Sequence, residues 1–266
     1  MPKVSIGDAE LFYEITGDGP PLMLVAGLSG LGSFWAQQVP VLSKHFKVIQ
    51  HDHRGTGQSS RSLIRYSVDQ MAADALKLMD ALKIDKAHFA GHSTGGAISQ
   101  TIATDFPDRM NSMVLSATWP GVDAYFNRCF DARKAVLASQ GIAGYLRLTN
   151  LFLYPPYWVT AHAADLDAAE KAALPNQPPD EILVGRIDAI EAFDRRAKLP
   201  AVKKPTLVIV ARDDVVTPPY QSEELAKLIP GAKLHYVERG GHFAPVIEPA
   251  LYNPPVVEFL RKQAGV

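Results

Sequence analysis

Gly91-His92-Ser93-Thr94-Gly95 is the stretch of this chain whose residue types point first to covalent chemistry. A β-rich run, Ala87 to Ala90, leads into it, and a helix-like run, Ala97 to Phe106, leaves it. A G-x-S-x-G between a strand and a helix describes a sharp turn that lifts a serine hydroxyl clear of a sheet. The glycines are needed because backbone segments approach there too closely for a Cβ. A serine hydroxyl is a weak nucleophile near neutral pH, so it requires a base. His242, in Gly240-Gly241-His242-Phe243, follows a strand-like run near the chain end and is the candidate base. A carboxylate should hold that imidazole in one tautomer. Asp213 and Asp214 both follow the apolar run ending at Ala211, and Asp123 is a more distant alternative. The oxyanion formed on attack needs preorganised donors. The N–H of Thr94, directly after the serine, supplies one. The N–H of Leu28, in the glycine-dense loop Ala26-Gly27-Leu28-Ser29, supplies the other.

These residues need a scaffold that brings distant loops together. Pro21 to Val25, Phe46 to Gln50, Ala87 to Ala90, Met113 to Leu115 and Pro205 to Ala211 are short apolar runs. Such runs suit strands buried on both faces. Weaker strands are read at Leu11 to Thr16 and Lys233 to Val237, and Ser33 is a possible cap for a helix carrying Trp35 and Leu42. Ser67 opens a run in which Val68, Met71, Ala75, Leu78 and Leu82 recur at three- and four-residue steps, which predicts a helix with one buried face. Strands alternating with helices argue for an α/β fold with a parallel sheet covered on both sides. Ligands then gather beyond the carboxyl ends of the strands, where the Leu28, Ser93, Asp213–Asp214 and His242 loops all fall. The rhythm breaks across residues 119–199, which hold helical patches, proline clusters and many aromatics. The reading is a body made of residues 1–118 and 200–266, with 119–199 as a helical insertion over one end of the sheet.

The remaining composition narrows the function. The chain has 266 residues, 47% hydrophobic and 21% charged, with a formal net charge of −1. No basic excess marks a nucleic-acid footprint, and no apolar run reaches the length of a membrane span. One cysteine, Cys129, precludes an intrachain disulfide and suits a reducing, cytoplasmic setting. His51, Asp52, His53 and His92 do not make a metal set, because successive residues of a strand point to opposite sides. Trp35 and Cys129, with Trp119, Phe126, Phe130, Phe152 and Trp158 of the insertion, are candidates for an apolar substrate pocket. Arg128 and Arg133 are candidates to hold a substrate carboxylate.

Taken together, Gly91 to Gly95, Asp52-His53-Arg54-Gly55-Thr56-Gly57-Gln58-Ser59, Asp214-Val215-Val216-Thr217-Pro218 and Gly241-His242 resemble the α/β-hydrolase superfamily, in its own order and over nearly the whole chain. The resemblance implies a mostly parallel eight-stranded sheet with a helical cap, and Ser93, Asp214 and His242 as the triad. It selects Asp214 over Asp213 because the acid precedes a V-x-P-like segment. It also gives Arg54 a bracing role. Gly27-Leu28-Ser29-Gly30-Leu31-Gly32-Ser33-Phe34-Trp35, Arg128-Cys129-Phe130 and Leu151-Phe152-Leu153-Tyr154-Pro155 are similar to the aminoacrylate hydrolases and 3-oxoadipate enol-lactonases. Ala26 stands where many relatives carry histidine. The implied function is hydrolysis of a small carbonyl substrate without cofactor or metal. C–C cleavage of a β-diketone or vinylogous acid, and ligand sensing with little turnover, are the alternatives. A small molecule is the expected partner, and a homodimer is left open.

Overall fold

Leu22 and Leu24 pack on one side of the central sheet while Met23 and Val25, their alternating neighbours, pack on the other. This is what a continuous apolar run does when both faces of a strand are covered. In the computed structural model, which describes residues 2–266, Pro21–Val25 is the third of eight strands. The others are β1 (Lys3–Ser5), β2 (Glu10–Thr16), β4 (Lys47–His51), β5 (Ala87–His92), β6 (Met110–Ser116), β7 (Thr206–Ala211) and β8 (Lys233–Val237). Their order across the sheet is β1-β2-β4-β3-β5-β6-β7-β8. The β1–β2 and β2–β4 pairs are antiparallel, and every other pair is parallel. The mostly parallel eight-stranded sheet is therefore as expected.

One face is covered by α2 (Val68–Ala81) and α3 (Thr94–Asp105), whose buried residues join Met23, Phe89 and Met113. Ser67 caps α2, its hydroxyl accepting the Gln70 N–H at 3.0 Å. The opposite face is covered by the short α1 (Val39–Leu42) and by α10 (Pro249–Ala264), through Leu42, Tyr252, Val256 and Leu260. Ser33 caps no helix; it lies inside a 3-10 turn, Gly32–Trp35, that ends before α1 begins.

Between β6 and β7 the chain is helical: α4 (Ala124–Leu153), α5 (Pro156–Ala161), α6 (Ala163–Ala173) and α7 (Asp180–Glu191). Gly141, at φ +68°, breaks α4 into two limbs. That conformation is open to glycine at little cost. A bridge between Gly121 and Asp194 joins the two ends of the segment. Helices α8 (Pro219–Leu228), α9 (Ala244–Ile247) and α10 complete the chain. Among the described residues no helix is long and apolar enough to cross a membrane.

Candidate active site

Ser93 ends β5 and begins α3 at φ +54°, a left-handed conformation that a non-glycine residue adopts only when its surroundings enforce it. Three bonds enforce it. The Ser93 N–H donates to the Ser116 carbonyl at 2.8 Å, and the Ser93 carbonyl accepts the Gly96 N–H at 2.9 Å and the Thr118 hydroxyl at 2.8 Å. The glycines make room. A Cβ on Gly95 would overlap the Val25 carbonyl, and one on Gly91 would overlap the carbonyl of Gly95.

Asp214 and His242 meet across two further strand ends. Asp214 follows β7 and His242 follows β8. His242 Nδ1 lies 2.9 Å from Asp214 Oδ2, and both residues are buried. Asp214 is fully occupied: Oδ1 accepts the Val216 and Thr217 N–H groups at 2.8 and 3.0 Å, and Oδ2 also accepts the Thr217 hydroxyl at 2.9 Å. Asp213 points elsewhere. Its oxygens accept the N–H groups of Gly240 and Gly241 at 3.2 and 2.8 Å, so it shapes the histidine loop from behind. Asp123 is spent as the N-cap of α4, accepting the Phe126 N–H at 2.8 Å, and takes the Tyr220 hydroxyl as well.

The loop after β3 closes the site. A Cβ added to Gly27 would stand 3.3 Å from the Ser93 Cβ, so this backbone runs directly beside the serine. Neither the Leu28 nor the Thr94 N–H donates to a protein acceptor among the described residues. Both amides are thus unspent in the protein, on residues that lie next to Ser93 and in the loop beside it. Asp52 braces the same loop, accepting the Gly32 and Gln58 N–H groups at 2.9 Å each. Arg54 is buried and ion-paired to Asp8 and Asp74 at 2.7 and 2.8 Å, so its charge is spent within the body.

Three residues at this site carried no sequence signal that was read as such. His92 tilts against His242 with ring centroids 4.7 Å apart, and Phe34 stacks on it at 4.5 Å. Burial, and then the nearby His242, hold His92 well below the usual histidine range, so it is neutral. Arg186 of α7 is fully buried and reaches across to the body. Its Nη2 and Nε donate to the Leu28 carbonyl at 2.9 and 3.3 Å, its Nη1 to the Arg54 carbonyl at 2.9 Å, and Nη2 also meets His53 Nδ1 at 3.1 Å. No carboxylate pairs with it among the described residues, and burial lowers its pKa to about 10. It falls on the apolar stripe Ile182, Ile187, Ile190 of α7, and a charge on such a stripe is the clue.

The candidate pocket residues occupy different depths. Trp35 is fully buried against the α10 face and touches Phe34 and His92 edge-on. Trp119, Phe126 and Phe130 form a continuous buried column with 4.5 Å between successive rings. Burial raises the Cys129 thiol, leaving it protonated and a poor nucleophile. Phe152 and Trp158 are half-buried, Trp158 stacking on Tyr154 and His162. Arg128 is exposed, whereas Arg133 is buried.

With this geometry in hand, the comparisons with known proteins are direct. A family model described as "alpha/beta hydrolase fold" matches residues 20–249. The chain belongs to the α/β-hydrolase fold family. The protein named "Putative carbamate hydrolase RutD" of Azorhizobium caulinodans is 37% identical over 97% of this chain and 98% of its own. RutD of Caulobacter segnis is 39% identical over 90% of each chain. The crystal structure of the enol-lactonase of Burkholderia xenovorans superposes with a TM-score of 0.89 at 28% identity, covering 97% of this chain and 99% of that one. A hydrolase of Pseudomonas aeruginosa does so with a TM-score of 0.85 at 30% identity, covering 97% of each.

Proposed function

We propose that this α/β-hydrolase is a serine hydrolase of small carbonyl substrates, with Ser93, His242 and Asp214 as nucleophile, base and orienting acid. The observation that carries the reading is the buried 2.9 Å contact of His242 Nδ1 with Asp214 Oδ2, beyond the carboxyl ends of the same parallel strands as a serine held at φ +54°. Asp214 fixes the proton on Nδ1 and leaves Nε2 as the acceptor. Ser93 Oγ attacks the substrate carbonyl and passes its proton to His242 Nε2. The free N–H groups of Leu28 and Thr94 receive the charge that develops on the carbonyl oxygen. His242 then returns the proton to the leaving group, and water releases the acyl group with His242 as base again. Residues 119–199 act as the cap over this site, and their aromatic column supplies apolar contact. The names of the relatives, carbamate hydrolase and enol-lactonase, support a small carbamate, ester or lactone as substrate.

The test is turnover of p-nitrophenyl acetate, alongside small carbamates and enol-lactones, by the wild type and by Ser93→Ala. Ser93→Ala is expected to lose a factor on the order of 10³ or more in kcat. A Ser93→Ala protein that is folded and retains most of the rate would refute the assignment.

A further inference from the structure

The end of β4 and the turn after it bury two histidines, and the mechanism proposed above uses neither. His51 and His53 stack with ring centroids 5.2 Å apart. His53 Nδ1 lies 3.1 Å from Nη2 of Arg186, the same nitrogen that donates to the Leu28 carbonyl at 2.9 Å. A guanidinium only donates. His53 therefore accepts through Nδ1 and carries its proton on Nε2, which is enclosed without a partner. An N–H stranded in this way costs stability, and what it secures is the lone pair turned toward Arg186.

From His53 the contacts run on to the nucleophile. The His53 N–H donates to the Gly30 carbonyl at 2.8 Å, and the Gly30 N–H donates to the Gly27 carbonyl at 2.9 Å. A Cβ on Gly30 would stand 2.9 Å from the His53 Cβ and 3.0 Å from Arg186 Nη2, so loop, imidazole and guanidinium pack in direct contact. Gly27, at the other end of that short turn, runs beside Ser93. The charged and titratable groups facing His53 are Arg186 from α7 and His51 from β4. On its own turn, Asp52 is committed to the Gly32 and Gln58 N–H groups, and Arg54 to Asp8 and Asp74. Residues 27–32 include no titratable side chain, and Tyr66 faces the guanidinium with its ring 5.9 Å away. A proton on His53 would find no anion bonded to it among the described residues.

We propose that His53 is a positioning residue for the oxyanion loop that works only while neutral: accepting from Arg186, it locks α7 onto the Leu28 carbonyl, and a proton on Nδ1 releases that lock. The effect on activity rests on the serine-hydrolase reading above; the release of α7 does not. Protonation removes the acceptor and sets a second positive charge 3.1 Å from the guanidinium nitrogen. Burial, and then Arg186 and His51, hold the imidazole well below the usual histidine range. The lock is therefore complete near neutral pH and opens as pH falls through that lowered value.

Two measurements test it. The first is the pH dependence of kcat/KM for p-nitrophenyl acetate. The acid limb of the wild type should steepen from about one decade per pH unit, the single proton of a base, toward about two as His53 is protonated. His53→Asn keeps an acceptor near the place of Nδ1 and cannot take a proton, so its limb should stay at about one. At pH 7, His53→Leu should lose about tenfold in kcat with little change in KM, the scale of a hydrogen bond to a charged group, and His53→Asn should recover most of that loss. The second is hydrogen exchange of Ser93→Ala protein at about pH 7 and pH 5, corrected for intrinsic rates. Protection of α7 and of residues 27–32 should fall by roughly 30-fold, because the opened state binds the proton with an ordinary histidine affinity and the locked state does not. In protein that also carries His53→Asn, it should hold. An acid limb that never steepens, or that steepens equally in His53→Asn, overturns the lock. So does α7 protection that falls equally with and without His53, or that follows β5 amide for amide. A steep limb removed by His51→Phe but not by His53→Asn overturns it as well. If His53→Leu fails to fold, the His53→Asn comparisons carry the test. Turnover that survives Ser93→Ala, with α7 protection still set by His53, removes the hydrolase reading and leaves the lock. Ser93-dependent turnover with α7 protection indifferent to His53 does the reverse.

Discussion

Replacing Asp214 by asparagine should invert the tautomer of His242, and the structure says why. Asp214 Oδ1 accepts two buried backbone N–H groups, from Val216 and Thr217. Stranding both would cost about 1–3 kcal/mol each, so in Asp214→Asn the remaining oxygen must stay there. The new NH₂ group is then forced to the Oδ2 position, 2.9 Å from His242 Nδ1. The Thr217 hydroxyl can turn and accept; His242 Nδ1 must also accept, which moves the ring proton to Nε2. A histidine protonated on Nε2 cannot take the serine proton. The expected loss in kcat is about 10⁴-fold, or about 5.5 kcal/mol of barrier, with little change in KM. Asp213→Asn is the matched control. It gives up one bond, to Gly240 or Gly241, and should cost no more than about tenfold. Steady-state kinetics with p-nitrophenyl acetate, with melting curves to establish folding, decide between them. The reasoning fails if Asp214→Asn keeps more than about a tenth of the activity, or if Asp213→Asn loses as much.

Arg186→Met should lower kcat by roughly 10- to 100-fold with little change in KM, because the Leu28 carbonyl loses the cation that fixes the oxyanion loop. Arg186→Lys should not rescue it, since one ammonium cannot span the Leu28 and Arg54 carbonyls in a fixed fork. Gly95→Ala should destabilise the fold by more than about 4 kcal/mol, because its Cβ meets the backbone of β3 rather than a movable side chain; a melting temperature close to that of the wild type would contradict this. Acid should destabilise the protein well before its carboxylates titrate. Burial holds His51 down to about 4, and His53 and His92 well below the usual value. These groups are depressed on folding, so their stability contribution is full above about pH 6.5 and is lost as pH falls toward 4. Three such groups set a slope approaching about 4 kcal/mol per pH unit near pH 5. Urea unfolding between pH 7 and 4.5 measures it, and a flat profile would show that these histidines are not neutral in the folded state.

Much of this site was legible in the sequence because its parts are local. Ser93 sits in five residues that specify their own strand, turn and helix, and the apolar runs at residues 21–25, 205–211 and 233–237 predict strands within a residue or so of their ends. The choice between Asp213 and Asp214 was not local. The two differ only in the path of the backbone after Ala211, which sends one side chain to His242 and the other to the Gly240–Gly241 amides. Arg186 escaped because its partners are mostly main-chain carbonyls, which leave no trace in residue identity. The strand Lys3–Ser5 escaped because two exposed residues around one half-buried valine are too short a run to carry a period. Gly141 carries no turn signal of its own within the helical patches of residues 119–199, although it turns one helix into two limbs.

The two ends of the 119–199 segment bear different mechanical duties. Helix α7 cannot lift without stripping a fully buried guanidinium of the Leu28 and Arg54 carbonyls, and the same movement would release the Leu28 loop that runs beside Ser93. An opening there would dismantle the site it exposes. Helices α5 and α6 are bound by no such contact: α5 has no buried residue and α6 has one, Leu166. Segments with few buried apolar contacts are the ones that open at low free energy. The free energy of local opening is therefore lowest at α5 and α6 and highest at α7, where lifting the helix would also free the Leu28 carbonyl beside Ser93.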